Sequence, residues 1–265
     1  MELSEVNVIK ETSFPRGWQK AAAFIEEEGI FRTIGGPKEG FPEVIERKEI
    51  IDTCQMLIFT GEAITQIEKG VMHPLFPFRQ KQLEAYCHQF TTKYVENWLQ
   101  LPYNDPHKFK YLYLDRFLYP IDQLEAMRKN LAVLVKEQIS SNRVQAITWQ
   151  PAQDRYNDEP PCLQIIQVIY LGKDDNGQDK VDLRLYWRSR DINAVQANII
   201  CLNRAFQHFF LKPNHCQIER WLDYSSSLHC YQDRLQDLHK AAWYARNENQ
   251  FFIDTPLCPY PYNFK

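Results

Sequence analysis

Between Val181 and Arg188 apolar and polar side chains alternate one for one: Val181, Leu183, Leu185 and Trp187 against Asp182, Arg184, Tyr186 and Arg188. That two-residue period belongs to a strand with one face buried. Beyond Asp191 the period lengthens. Val195, Ile199, Leu202, Phe206 and Phe209 fall at three- and four-residue steps, the stripe of a helix. A chain that changes period over so short a distance must pack a sheet against helices. Residues 162–170, rich in Ile and Val, predict another strand, and 143–149 a third. The polar stretch 173–180 contains Asn176-Gly177, a hairpin signal. Strands and helices interleave with hairpins, so the expected class is α+β, a mixed β-sheet packed with helices, rather than a strict βαβ repeat.

The first half is read the same way. Residues 17–29 carry Trp18, Ala21, Ala22, Phe24 and Ile25 at helical spacing, with Glu26-Glu27-Glu28 expected on a solvated face. Residues 32–41, with three glycines and a proline, predict a surface loop. Residues 49–60 predict a strand ending in Met56-Leu57-Ile58-Phe59, residues 78–100 a helical segment, and 121–135 a helix. With no repeat, linker or low-complexity segment, 1–265 is expected to be a single domain.

Lys and Arg total 31 against 34 Asp and Glu, a net charge of −3. Nucleic-acid coats and anionic-membrane proteins need a positive surplus, so neither partner is expected. No stretch approaches the roughly 20 apolar residues of a bilayer span, and the acidic N-terminus lacks a signal-peptide layout. The seven cysteines, at 54, 87, 162, 201, 216, 230 and 258, form no Cys-x-x-Cys pair. No metal is expected, and the natural reading is a cytoplasmic protein with free thiols. Only nine glycines are present, and Gly35-Gly36 with Gly40 is the sole cluster, matching no phosphate-cradling pattern. A bound phosphate would therefore be held by side chains, arginine above all.

Four places admit a chemical reading beside a structural one. Asn198 lies on the apolar helical stripe; its amide either pairs with a neighbouring backbone group or reads a ligand such as a uracil edge. Arg188-Ser189-Arg190-Asp191 joins strand to helix; it is either a solvated loop with Asp191 as N-cap or a phosphate grip. His229 and Tyr231 share one face of an extended segment, suited to a sugar or simply a surface pair. Cys162 follows Pro160-Pro161 and opens a strand; it is a buried hydrophobe unless cationic groups lower its pKa.

Taken in order, these residues resemble the thymidylate synthase family over about 120 positions. Tyr113 in Tyr-Leu-Asp-Arg-Phe stands at the family's active-site tyrosine, and Ile121-Asp122-Gln123 matches the start of a family helix. Ser141-Asn142-Arg143 with Thr148-Trp149 is similar to Ser-Arg-Arg…Ala-Trp-Asn. Pro160-Pro161-Cys162 matches the nucleophile motif, with Gln167 on the strand that follows. Arg188-Ser189, Asp191 and Asn198-Ile199 match Arg-Ser-x-Asp…Asn-Ile, and His229-x-Tyr231 matches His-x-Tyr. Arg32-Thr33 resembles the phosphate-loop Arg-Thr. The short, divergent chain is closest in character to the archaeal-type branch. It departs from the family at Leu163 (usually His), at Asn142 (usually Arg), in a shorter stretch before Asn198, and at Ser226-Ser227 (usually Gly-Asp).

The resemblance implies a thymidylate synthase-like fold and a homodimer. Cys162 would attack C6 of dUMP, and C5 would then take a one-carbon unit from 5,10-methylenetetrahydrofolate or a related reduced pterin, giving dTMP. Arg32, Arg188 and Ser189 would hold the phosphate, with Arg143 supplied by the partner chain. Gln167 and Asn198 would face the substrate, His229 and Tyr231 the deoxyribose, and Asp191 and Trp149 the pterin. Tyr113 and a glutamate, Glu49 before Glu46, would complete the catalytic set. Two alternatives remain: a pyrimidine-nucleotide hydroxymethylase, in which water ends the reaction, and a silent nucleotide-binding homologue.

Overall fold

The computed structural model describes residues 6–38, 41–102, 105 and 108–247. The chain begins with β1 (Asn7–Glu11), α1 (Phe14–Glu28), β2 (Ile30–Lys38), β3 (Phe41–Thr60) and α2 (Glu62–Lys69). Four helices follow: α3 (Gln80–His88), α4 (Thr92–Gln100), α5 (Tyr113–Leu118) and α6 (Gln123–Glu137). Next come β4 (Val144–Ile147), α7 (Pro151–Asp154), β5 (Leu163–Lys173), β6 (Asp179–Trp187) and β7 (Arg190–Asp191). The last elements are α8 (Val195–Phe206), β8 (Gln217–Tyr231) and α9 (Leu235–Arg246). The fold is α+β. One mixed sheet runs β1-β3-β8-β6-β5-β4, with β2 paired to β3 and β7 to β8. The β1–β3, β6–β8 and β7–β8 pairs are parallel and the others antiparallel.

The two faces of the sheet follow from the period-2 pattern. An inner row, Leu57–Asp223–Leu185–Ile166–Ala146, crosses five strands in register and is buried throughout. An outer row, Val8–Met56–Tyr224–Tyr186–Ile165–Ile147, crosses six strands; Val8, Tyr186 and Ile147 are exposed. The alternation along β6 is broken once. Asp182, at a solvent-facing parity, is fully buried because Arg220 and Arg184 close over its carboxylate.

Helix α8 is buried all round rather than along one stripe, since Ala197, Ile200 and Cys201 are as inaccessible as Val195, Ile199 and Leu202. Helix α1 approaches β3 so closely that a Cβ on Gly17 would lie 2.3 Å from the Phe59 ring. Its acidic end is not simply solvated. Glu26 and Glu27 accept from Arg246, and Glu26 also pairs with His239, clasping α9.

Three expectations change. The predicted loop at 32–41 is mostly strand, paired with β3 from Ile30↔Asp52 to Pro37↔Ile45. Gly35 serves close approach there, because a Cβ would meet the Ile45 side chain at 2.8 Å and the Glu46 carbonyl at 2.9 Å. The helical segment 78–100 is two helices, the second started by Thr91, whose Oγ1 accepts from the Tyr94 N–H. Not all thiols are free: Cys87 on α3 and Cys201 on α8 form a disulfide, with Cα atoms 4.8 Å apart. Packing of α3 on α8 joins residues 114 positions apart, which no local spacing could reveal. Cys54, Cys162, Cys216 and Cys230 are free, and Cys258 lies outside the described residues. Among the described residues no helix is long and apolar enough to cross a membrane.

Candidate active site

Cys162 stands where the chain leaves Pro160-Pro161 and enters β5. Arg188, at the end of β6, holds this entry. Its backbone N–H donates to the Cys162 carbonyl at 2.9 Å. Its guanidinium donates to the carbonyls of Pro161 (Nε, 3.0 Å) and Pro160 (Nη2, 2.6 Å). Burial pushes the Cys162 thiol above its ordinary pKa, while Arg188, a hydrogen bond from Tyr111 and Arg190 pull it down. The thiol is thus held in tension between desolvation and positive charge, the balance on which cysteine reactivity depends.

Beside it lies a cluster of tyrosines. The Tyr111 and Tyr113 ring centroids are 5.4 Å apart, and Tyr113 meets Trp187 edge-on at 5.8 Å. Burial raises the pKa of Tyr111 to about 12 and lifts that of Tyr113 well above the ordinary phenol range. Tyr86, Tyr111, Tyr113, Phe90, Lys110 and Glu159 line a cavity of about 400 Å³. Both phenols are therefore neutral O–H groups able to donate or accept.

Asn198 reaches the same place from α8. Its Nδ2 donates to the Tyr86 hydroxyl at 2.7 Å, and its Oδ1 accepts from Arg190 Nε at 3.4 Å. The amide is buried but paired with side chains, not with the neighbouring backbone. Arg190 points inward, away from Arg188. It forms an ion pair with Asp223, donates to the Val195 carbonyl at 3.1 Å, and stacks on Trp187 at 4.0 Å. The side chains of Arg188 and Arg190 therefore do not form a joint grip, and Ser189 sits half-buried between them.

A second cavity, about 610 Å³, is lined by Lys48, Glu49, Asp191, Tyr231 and Arg234 among others. Asp191 caps the turn before α8, accepting from the Asn193 N–H at 2.9 Å. It aligns with His229 on β8. Burial raises the Asp191 pKa and lowers that of His229, while each partially offsets the other. His229 and Tyr231 do share a face, with ring centroids 5.0 Å apart. His229 Nε2 and Trp187 Nε1 are both buried without a hydrogen-bond partner, a costly state unless a ligand supplies one. Tyr231 feels the charges of Cys162 and Arg188, which links the second cavity to Cys162.

The remaining residues are placed as follows. Arg32 on β2 is tied to Asp52, donating from Nε at 2.9 Å; Asp52 also accepts from Ser227 Oγ at 2.6 Å and lies opposite His229. Glu46 is exposed and pairs with Lys48 at 3.6 Å. Trp149 is half-buried after β4, next to Thr148, whose hydroxyl donates to the Leu163 carbonyl. Arg143 and Gln167 are not beside Cys162. Val144 pairs with Val168, six residues along the chain from Cys162, roughly 20 Å at strand spacing. Arg143 is exposed there, and Gln167 donates to the Asn142 carbonyl at 2.8 Å.

Sequence reasoning missed Tyr86, Tyr111 and the inward pair Arg190–Asp223. Asp223 carried a signal: it shares the buried parity of β8 with Trp221 and Ser225. Tyr86 carried none.

No protein-family model matches this chain. Over 137 residues, 49% of the chain, it is 28% identical to a protein of Methanopyrus kandleri named "Putative thymidylate synthase". The chain spans 59% of that relative's length. This similarity supports a thymidylate synthase-like relationship.

Proposed function

We propose that the protein is a thymidylate synthase-like transferase that places a one-carbon unit on C5 of dUMP through a covalent bond between Cys162 and C6. One observation carries the reading. Arg188 is tied to the entry of Cys162 by its backbone N–H on the Cys162 carbonyl at 2.9 Å and by its guanidinium on the carbonyls of Pro161 and Pro160, which fixes a cation next to the thiol.

Arg188 favours the thiolate that adds to C6. The electron pair displaced from the C5–C6 bond makes C5 nucleophilic, which an unsaturated pyrimidine is not. C5 then takes the carbon from methylenetetrahydrofolate as co-substrate. Loss of the C5 proton expels tetrahydrofolate and leaves an exocyclic methylene on the ring, still bonded to Cys162. A hydride from that tetrahydrofolate, which is oxidised to dihydrofolate, or a water then adds to the methylene, and the returning C5–C6 double bond expels the Cys162 thiolate. Glu49 and Tyr113 are the proposed proton-handling groups. A hydride ending the sequence gives methyl and water gives hydroxymethyl. Asn198 reads the base, and His229 and Tyr231 hold the sugar, the orphaned His229 Nε2 being the donor or acceptor for its hydroxyl. Arg188, Ser189 and Arg32 are the cis phosphate groups. The pterin is assigned to Asp191, whose carboxyl opens on the larger cavity and suits the N–H donors of a pterin. Trp149 is the second pterin residue.

The homodimer belongs to the same proposal. The outer row from Val8 to Ile147 is an apolar strip open to solvent in the single chain, the kind of surface a second copy covers. Arg143, exposed just before β4 and distant from its own Cys162, is then available to the partner's phosphate.

Mass analysis of products from dUMP, dCMP, UMP or CMP with methylenetetrahydrofolate tests the function. A methylated dUMP is expected. A hydroxymethylated product selects the alternative reaction, and no product with any of the four overturns the transferase reading.

A further inference from the structure

An asparagine amide can normally turn over, exchanging its oxygen and nitrogen, and so serve uracil in one pose and cytosine in the other. Asn198 is not free to do so. Its oxygen faces Arg190 Nε, a group that can only donate. That guanidinium cannot swivel away. It is fixed by the ion pair with Asp223, by the Val195 carbonyl at 3.1 Å and by the Trp187 ring at 4.0 Å. Asp223 is anchored in turn by the Trp221 indole N–H at 3.3 Å. On the opposite side, Asn198 Nδ2 donates to Tyr86 Oη at 2.7 Å. A turned amide would set N–H against N–H in a buried site.

We propose that Tyr86, Arg190 and Asp223 lock the Asn198 carboxamide in one orientation, making Arg190 a positioning residue that sets the choice between uracil and cytosine. The inference rests on the nucleotide reading above and deepens it. The lock uses one lone pair of Oδ1 and one hydrogen of Nδ2. One acceptor and one donor remain on adjacent atoms for the ligand. Uracil meets them with N3–H and O4; cytosine in the same pose presents N3 and an amino group, opposing both. With the amide unable to turn, the mismatch cannot be relieved.

The test is the ratio of dissociation constants for dUMP and dCMP, measured calorimetrically on the full chain. The wild-type protein is expected to discriminate by roughly 100-fold or more. Arg190→Lys retains a cation for Asp223 but removes the planar donor facing Asn198, and is expected to reduce the ratio by roughly 10- to 100-fold. Tyr86→Phe, which deletes only a hydroxyl, should reduce it by several-fold and guards against poor folding of the first variant. In an Asn198→Ala background neither substitution should change the ratio further, an outcome a merely structural role would not produce. Unchanged ratios in both single variants, or wild-type discrimination below tenfold, overturn the lock. The direction of the preference tests the uracil reading separately. A protein binding neither nucleotide refutes both.

Discussion

The inner and outer faces of the sheet both bury carboxylate under arginine, and Asp223 and Asp182 show how differently they do so. On the inner face Asp223 and Arg190 are both inaccessible, and Arg190 is held by partners on every side. On the outer face Asp182 is equally buried, yet its partners Arg220 and Arg184 have side chains 45% and 34% exposed. A buried pair held at several points fixes geometry, and its fixed donor is spent on Asn198. A pair with one half in water fixes little; it only neutralises a buried charge. The inner face is thereby suited to chemistry and the outer face to association.

The sharpest break of this contrast is chemical. Cys162→Ala should abolish turnover and covalent trapping by a 5-fluorinated dUMP, while leaving the oligomeric state unchanged. Mapping of the adduct to another cysteine contradicts the assignment. Next in size is Asp223→Ala, which strands the buried Arg190 charge. It should cost about 3–5 kcal/mol in chemical denaturation, because one partner of a buried pair is removed. A loss below about 1 kcal/mol would mean that Arg190 is more solvated than its burial indicates. On the outer face, Tyr186→Arg puts a charge into the centre of the apolar row. Sedimentation equilibrium should show a shift from dimer to monomer; a wild-type chain that is already monomeric breaks the outer half of the comparison.

A smaller effect concerns acidity. Burial raises the Cys162 pKa and Arg188 lowers it. Removing Arg188 leaves burial less opposed, so the thiolate should form only at higher pH. The pH–rate curve for alkylation of Cys162 should move to the alkaline side in Arg188→Ala, and a move to the acid side refutes the assigned field. Smallest of all is Arg220→Ala. With Arg220 half in water and Arg184 still beside Asp182, the loss should be about 1 kcal/mol or less. A loss as large as that of Asp223→Ala would erase the distinction between the two faces.

Much of the fold was legible because periodicity is a local property. The strand–helix switch around Asp191, the β5–β6 hairpin and helix α6 all follow from spacings within one element. The hairpin of β2 and β3 was not legible, since its glycines suggested a turn where they permit cross-strand contact. The site divides in the same way. Cys162, Arg188, Asn198, His229 and Tyr231 sit in short motifs and could be proposed from the sequence alone. Tyr86 and Tyr111 act through contacts made only when α3 and the segment before α5 pack beside α8 and β5. Arg190 was found, but its direction was not, because residues two apart share a face only while the strand continues. Here β6 ends at Trp187 and β7 begins at Arg190.

The Cys87–Cys201 bond closes a covalent ring around the stretch that contains Tyr111, Tyr113, Cys162, Arg188, Arg190 and Asn198. His229, the neighbour of Asp191 on β8, lies outside it, as do Tyr231 and Glu49. With its ends 114 positions apart in sequence, such a ring removes conformational freedom from the unfolded chain equivalent to about 4–5 kcal/mol in the loop-entropy description. Cys162 and Asn198 are therefore linked through the polymer itself: even a denatured chain keeps them on one closed loop, and the strand that carries His229 and Tyr231 must find that loop from outside.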